Sequence, residues 1–202
     1  MSGRRSRPHC ATSVTASVAG ANSLQFTVSS LSFDPIAEAR RQWDLHWGTD
    51  ATESMVAVTS IMRAQQIILA RLNELLDPFD LTFPRYEALM LLFYSRSGEL
   101  PLGKISDRLQ VHRASVTNVI DKLVDSGYVE RVGHRQDRRA VLARITRQGK
   151  RVAAQATKRL NAEQFGMGPL GPAACEQLFS LIEPLRRCAG DYTVPDDQPP
   201  SP

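Results

Sequence analysis

PLGKISDRLQVHRASVTNVIDKLVDSGYVERVGHRQDRRAVLARIT, residues 101–146, is the stretch whose reading decides the fold. Ile105 and Leu109 stand four apart and make one apolar stripe, which predicts a short helix. Val111 and His112 make a turn. Val116, Val119, Ile120, Leu123 and Val124 then follow at helical spacing, so a second helix turns that face inward. Its other face carries Arg113, Ser115, Thr117, Asn118, Asp121 and Lys122. Gly127 stands where a helix end needs a left-handed residue. Tyr128, Val129, Arg131 and Val132 begin a strand, and residues 140–145 return as a second. In the second strand Val141, Ala143 and Ile145 alternate against Leu142 and Arg144. Between the strands lies a cationic tip, GHRQDRR, residues 133–139. The stretch reads as helix, turn, helix and a two-stranded hairpin.

Two short helices at a steep angle, the second with a polar outer face, suit the DNA major groove. Arg113, Ser115, Thr117 and Asn118 are the candidate groove contacts. Arginine can pair with two acceptors on guanine, asparagine with two groups on adenine, and the threonine methyl can meet a thymine methyl. Each can instead touch phosphate, which positions without specifying. His112 reads as a capping or phosphate-contacting residue rather than a metal ligand. Arg135, Arg138 and Arg139 lie at the hairpin tip. A narrow minor groove attracts inserted arginine, and the alternative is a solvated charged turn. Charge supports the DNA reading. Residues 101–151 hold twelve Lys/Arg and five Asp/Glu, net +7. The rest of the chain holds 13 and 16, net −3. Positive charge concentrated on one motif is the footprint of a polyanion binder.

These residues resemble the MarR family of bacterial winged helix-turn-helix transcriptional regulators. The matching residues are VHRASVTNVIDKLVDSGYVER, 111–131, then DRRAVLARIT, 137–146, with Gly149 three beyond Thr146. The family's wing carries Asp-x-Arg, matched by Asp137 and Arg139. The resemblance spans roughly residues 52–189. It implies a mainly α fold with a small β-hairpin wing and N- and C-terminal dimerisation helices. It also implies that Arg139 enters the minor groove and that Asp137 braces it. A further implication is a homodimeric repressor on a palindromic operator, released by a small-molecule effector that is aromatic or anionic. One branch of the family adds an N-terminal helix whose Trp helps enclose a urate-like ligand. By that likeness Trp43, Glu87 and Arg131 are the candidate ligand-binding residues. Glu87 replaces the branch's aspartate and Val119 one of its two arginines, so urate itself is not expected.

Along the chain, residues 1–32 read as a disordered N-terminal tail, residues upstream of the true start, or a loose basic arm; the segment after Arg4, Arg5 and Arg7 is too polar for an export signal. Residues 33–191 form the MarR-type domain, with its winged core at 82–146 and dimerisation helices at 52–77 and 147–189. In DPIAEARRQWDLHW, Asp34 and Pro35 start a helix that sets Trp43 and Trp47 on one side, either packed on the main body or, for Trp43, facing a ligand. A long amphipathic helix ends at Asp77-Pro78, and Thr82 caps the next, which runs to Ser97-Gly98. Thr146 caps a helix to about Phe165, and Pro184 should kink or shorten the last one. Residues 192–202, with four prolines, read as a second disordered tail.

Composition narrows the function classes. No apolar run approaches the roughly 18–20 residues of a membrane span, so a cytoplasmic protein without membrane partners is expected. Cys10, Cys175 and Cys188 are few and scattered, which suits a reducing compartment. Oxidation at Cys188, preceded by Arg186 and Arg187, is a rival switch. The histidines show no metal-ligand spacing, and no phosphate loop or nucleophile elbow is present. Neither cofactor nor catalytic activity is expected. The partners expected are double-stranded DNA, a second copy of the chain and a small-molecule effector. An activator of the same fold and a winged helix that docks on protein are the competing readings.

Overall fold

The computed structural model describes residues 31–133 and 141–192. The chain begins with α1 (Pro35–Trp47), whose Asp34 carboxylate accepts the Ile36 N–H at 2.8 Å. Next comes α2 (Thr52–Leu76), which runs into a 3-10 turn at Asp77–Phe79. The two helices are clamped together: the buried Thr52 hydroxyl donates to Asp44, and Arg40 pairs with Glu53. α3 (Phe83–Tyr94) starts one residue after Thr82, as expected, but the Thr82 side chain does not cap it. Asn73 of α2 reaches across instead and accepts the Phe83 N–H at 2.8 Å. α3 also stops at Tyr94, short of the Ser97-Gly98 end that the sequence suggested.

The helix-turn-helix follows as α4 (Leu102–Leu109) and α5 (Arg113–Asp125), with Gly127 at φ +71° beyond it. The expected hairpin is present as β2 and β3, but it belongs to a three-stranded sheet. β1 (Glu99–Pro101) pairs antiparallel with β3 (Val141–Ile145), whose other neighbour is β2 (Val129–Gly133). Three residues carry no readable period, and Pro101 tolerates the edge because an edge position needs no N–H. The added strand changes burial in β3. Leu142, expected outside with Arg144, is only 7% exposed because Pro101 and Val132 flank it on both sides. Val141, expected inside, sits exposed at the strand end. On the open face Arg144 binds Glu99 of β1 at 2.8 Å and Glu130 of β2 at 3.3 Å, one cation joining three strands.

α6 (Arg147–Ala162) is capped by Thr146, whose hydroxyl accepts the Gly149 N–H at 3.0 Å. It ends before Phe165, which takes φ +51° inside a 3-10 turn at Gln164–Gly166. α7 (Gly171–Cys188) passes through Pro184 without ending there. Proline removes one N–H, and the bonds beyond it hold: Ala189 N–H still reaches the Leu185 carbonyl at 3.1 Å. The core is built from Leu75, Leu76, Leu89, Ile105, Val116, Ile120, Leu123 and Leu160, all nearly inaccessible, on α2 to α6. Burying each such side chain is worth about 1.5–3 kcal/mol. α1 and α7 bury none of their residues. Both tryptophans were candidates for packing on the body. Trp47 is instead 77% exposed, and Trp43 is half-buried with its ring 6.5 Å from that of Trp47. Of the expected tails, 1–32 and 192–202, residues 1–30 and 193–202 lie outside the described residues, as does the wing tip with Arg135, Asp137, Arg138 and Arg139, whereas Tyr192 is described and its hydroxyl donates to Glu183.

Candidate nucleic-acid interface

His112 opens α5. Its Nδ1 accepts the Ala114 N–H at 3.3 Å, so it caps the helix, one of the two roles read from the sequence. The next two turns present Arg113, Ser115, Thr117 and Asn118, all exposed, while Val116 and Ile120 anchor the opposite face in the core. The Thr117 hydroxyl donates to the Arg113 carbonyl at 3.1 Å, which spends its proton. Thr117 therefore offers a groove its methyl and an acceptor. Arg113 leans toward Gly103 of α4, its guanidinium 3.9 Å from where a Cβ would stand.

Three braces hold this helix in place. The first is Ser106, which sequence reasoning passed over. Its buried hydroxyl donates to the Val111 carbonyl at 2.6 Å, while Gln110 turns the chain at φ +55°. A small polar residue directly after Ile105, inside an apolar stripe, was the available signal. The second brace is Arg131 of β2, which binds Asp121 on α5 at 2.6 Å and ties the wing to that helix. The third lies at the far end of α5. The Ser126 hydroxyl donates to Asp80 at 2.6 Å and the Tyr128 hydroxyl to the Phe79 carbonyl at 3.0 Å. Burial holds the Tyr128 phenol above its ordinary pKa, so it stays a donor.

α6 docks on the same corner. The Thr146 hydroxyl donates to the Gly127 carbonyl at 2.8 Å. Gly149 comes so close to the β2 root that a Cβ there would sit 2.1 Å from the Tyr128 carbonyl oxygen. This contact accounts for a glycine inside a helix, where propensity disfavours it.

A cavity of about 370 Å³ opens beside α4. It is walled by Phe83, Tyr86 and Tyr94 of α3, Phe165 of the 3-10 turn, and the charged side chains of Glu87 and Arg108. Glu87 is half-buried, and burial raises its carboxyl above the ordinary value. Of the three candidate ligand residues, the structure places only Glu87 at this cavity. Trp43 does not line it, and Arg131 is engaged by Asp121. Among the described residues no cluster of three His, Cys, Asp or Glu could hold a metal ion. No helix described is long and apolar enough to cross a membrane.

Known proteins share this arrangement. The model of the MarR family matches residues 81–141, from the start of α3's approach to the wing. Sco5413, a MarR family transcriptional regulator from Streptomyces coelicolor, is 47% identical with a TM-score of 0.65, covering 70% of this chain and 99% of that one. The HTH-type transcriptional regulator PrsX of Escherichia coli is 33% identical over 88 residues, 44% of this chain. The match spans 53% of PrsX, about half its length. A MarR variant from Escherichia coli complexed with operator DNA shares the fold at 22% identity and a TM-score of 0.59, covering 68% of this chain and 98% of that one. A capped, braced recognition helix, a three-stranded wing and a relative matched over nearly its whole length lead to one conclusion: this chain belongs to the MarR family of transcriptional regulators.

Proposed function

We propose that the chain is a sequence-specific DNA-binding regulator that acts as a homodimer on a palindromic site. The observation that carries this reading is the exposed polar face of α5, Arg113, Ser115, Thr117 and Asn118, held rigid by Ser106, Asp121 and Tyr128. A face that must match base edges gains from being fixed before it meets them. The wing arginines Arg135, Arg138 and Arg139 would add minor-groove contacts, with Asp137 bracing Arg139.

Dimerisation is supported by what the terminal helices leave open. Phe179, Leu181 and Leu185 of α7 are 59–78% exposed, and Val58, Ile61 and Met62 of α2 are 44–59% exposed. Helices with such a stripe are not stable facing water, and a second copy is the occupant that this reading supplies. A two-fold pair would set two recognition helices about 34–36 Å apart, one turn of DNA. Repression by occupying an operator, with release by a small molecule at the α3–α4 cavity, completes the reading. Release requires that the ligand favour the state that does not bind DNA.

The test is to select bound duplexes from a random pool with the purified protein and to weigh the complexes by sedimentation. A palindromic consensus bound by two copies, with affinity falling steeply as salt rises, is expected. A monomer without sequence preference overturns the proposal.

A further inference from the structure

The α3–α4 cavity has a chemical character of its own. Its volume of about 370 Å³ lies in the range of small-molecule sites, roughly 300–1,000 Å³. Its walls are mostly apolar, four aromatic rings beside Met90, Leu91 and Leu109, and the Phe83 and Tyr86 rings stack with centroids 6.2 Å apart, which suits a flat ligand. The Tyr86 hydroxyl is already bonded to Thr157 at 2.9 Å. The polar groups that α3 leaves for a ligand are the Tyr94 hydroxyl, 74% exposed at the rim, and the Glu87 carboxylate, of which Glu87 alone carries charge. Glu87 is half-buried and meets no donor among the described residues. A carboxylate drawn partly out of water without a partner is costly, and a ligand that donates to it recovers that cost. Arg108, by contrast, is an exposed side chain of α4. Its cation keeps its water and attracts little.

We propose that this cavity binds a flat aromatic molecule carrying an amine or amidine, with the ligand's N–H groups on the Glu87 carboxylate and its ring among Phe83, Tyr86, Tyr94 and Phe165. The aromatic faces add cation–π attraction to the same ligand. An aromatic anion would set like charges together in a half-buried site, which disfavours it. The position explains a consequence for DNA. α4 is the first helix of the helix-turn-helix, so an occupant wedged between it and α3 bears on the unit that presents α5. The inference rests on the effector reading above for that consequence, but not for the ligand's charge.

Three probes of like shape test it on the full chain: 2-naphthamidine, 2-naphthamide and 2-naphthoate, titrated by calorimetry without DNA. The amidine should bind about tenfold or more tighter than the naphthoate, and Glu87→Gln should erase that preference while Arg108→Gln leaves it. A melting curve of Glu87→Gln that matches or exceeds the parent's shows that its fold is intact. The inference is overturned if the naphthoate binds as tightly as the amidine, if the preference survives Glu87→Gln, or if the amidine fails to bind at about 1 mM. Adding each probe to the protein–duplex complex separates the two claims. An amidine that binds without displacing DNA removes the switch and leaves the ligand chemistry standing. A naphthoate that binds preferentially and displaces DNA does the reverse.

Discussion

The helix-turn-helix and the terminal helices are built on opposite terms. α4 and α5 bury Ile105, Ser106, Val116, Ile120 and Leu123, and their outer face is almost wholly polar. α7 buries nothing, and its exposed residues include Phe179, Leu181 and Leu185. The first region is finished within one chain, and its surface is free to meet a polar partner. The second covers Leu178 and Ile182 only in part and leaves the rest of its apolar stripe open to association. The same residue type shows the contrast: Leu123 is fully buried on α5, whereas Leu181 is 78% exposed on α7.

The largest expected effect comes from exchanging those two leucines for alanine. Leu123→Ala should cost about 2–5 kcal/mol of folding stability, because it opens a cavity in a packed core. Leu181→Ala should cost less than about 0.5 kcal/mol within one chain, as surface substitutions usually do, yet weaken self-association. Denaturant melts and sedimentation at several concentrations measure both, and an equal loss of stability for the two would break the contrast. Next is Gly149→Ala. Its Cβ would press on the Tyr128 carbonyl, a backbone atom that cannot swing aside, so a loss of about 1–3 kcal/mol is expected. An unchanged melting temperature would show that α6 does not dock as described.

Arg113→Ala should leave the melt unchanged and cost about 1–3 kcal/mol of duplex affinity at a preferred site, relaxing one base position. Equal losses on preferred and random duplexes would assign Arg113 to phosphate instead. The smallest effect is expected at Glu87. Burial raises its pKa in the folded chain above the ordinary value of 4.5, so the fold disfavours its charge. Relative stability from this group is fully present below the unfolded pKa and is lost as pH rises through the folded one. Glu87→Gln should therefore melt higher than the parent at neutral pH, and the gap should close as pH falls toward 4.5. A variant that melts lower at neutral pH would mean that Glu87 has a partner in the folded protein.

How much of this was legible from residues alone follows from the range of each interaction. The inward face of α5, its His112 cap, the Gly127 end and the Asp34 and Thr146 caps all involve residues within about one turn of one another, and they stand where the spacing put them. The identity of the polar face was legible too, because a helix period fixes which residues oppose the core. The rest depends on groups brought together from far along the chain. β1 is three residues long and exists because β3 lies beside it. Asn73 caps α3 from another helix, and Arg131 meets Asp121 across the wing. Glu87 came to line a cavity only when α4 and the 3-10 turn packed beside it, since desolvation is a property of neighbours rather than of the residue. Periodicity and caps act through the local backbone, so sequence alone determined them. Strand partners, cross-helix caps and the polarity of a cavity arise only where distant segments pack, and there the tertiary structure decided.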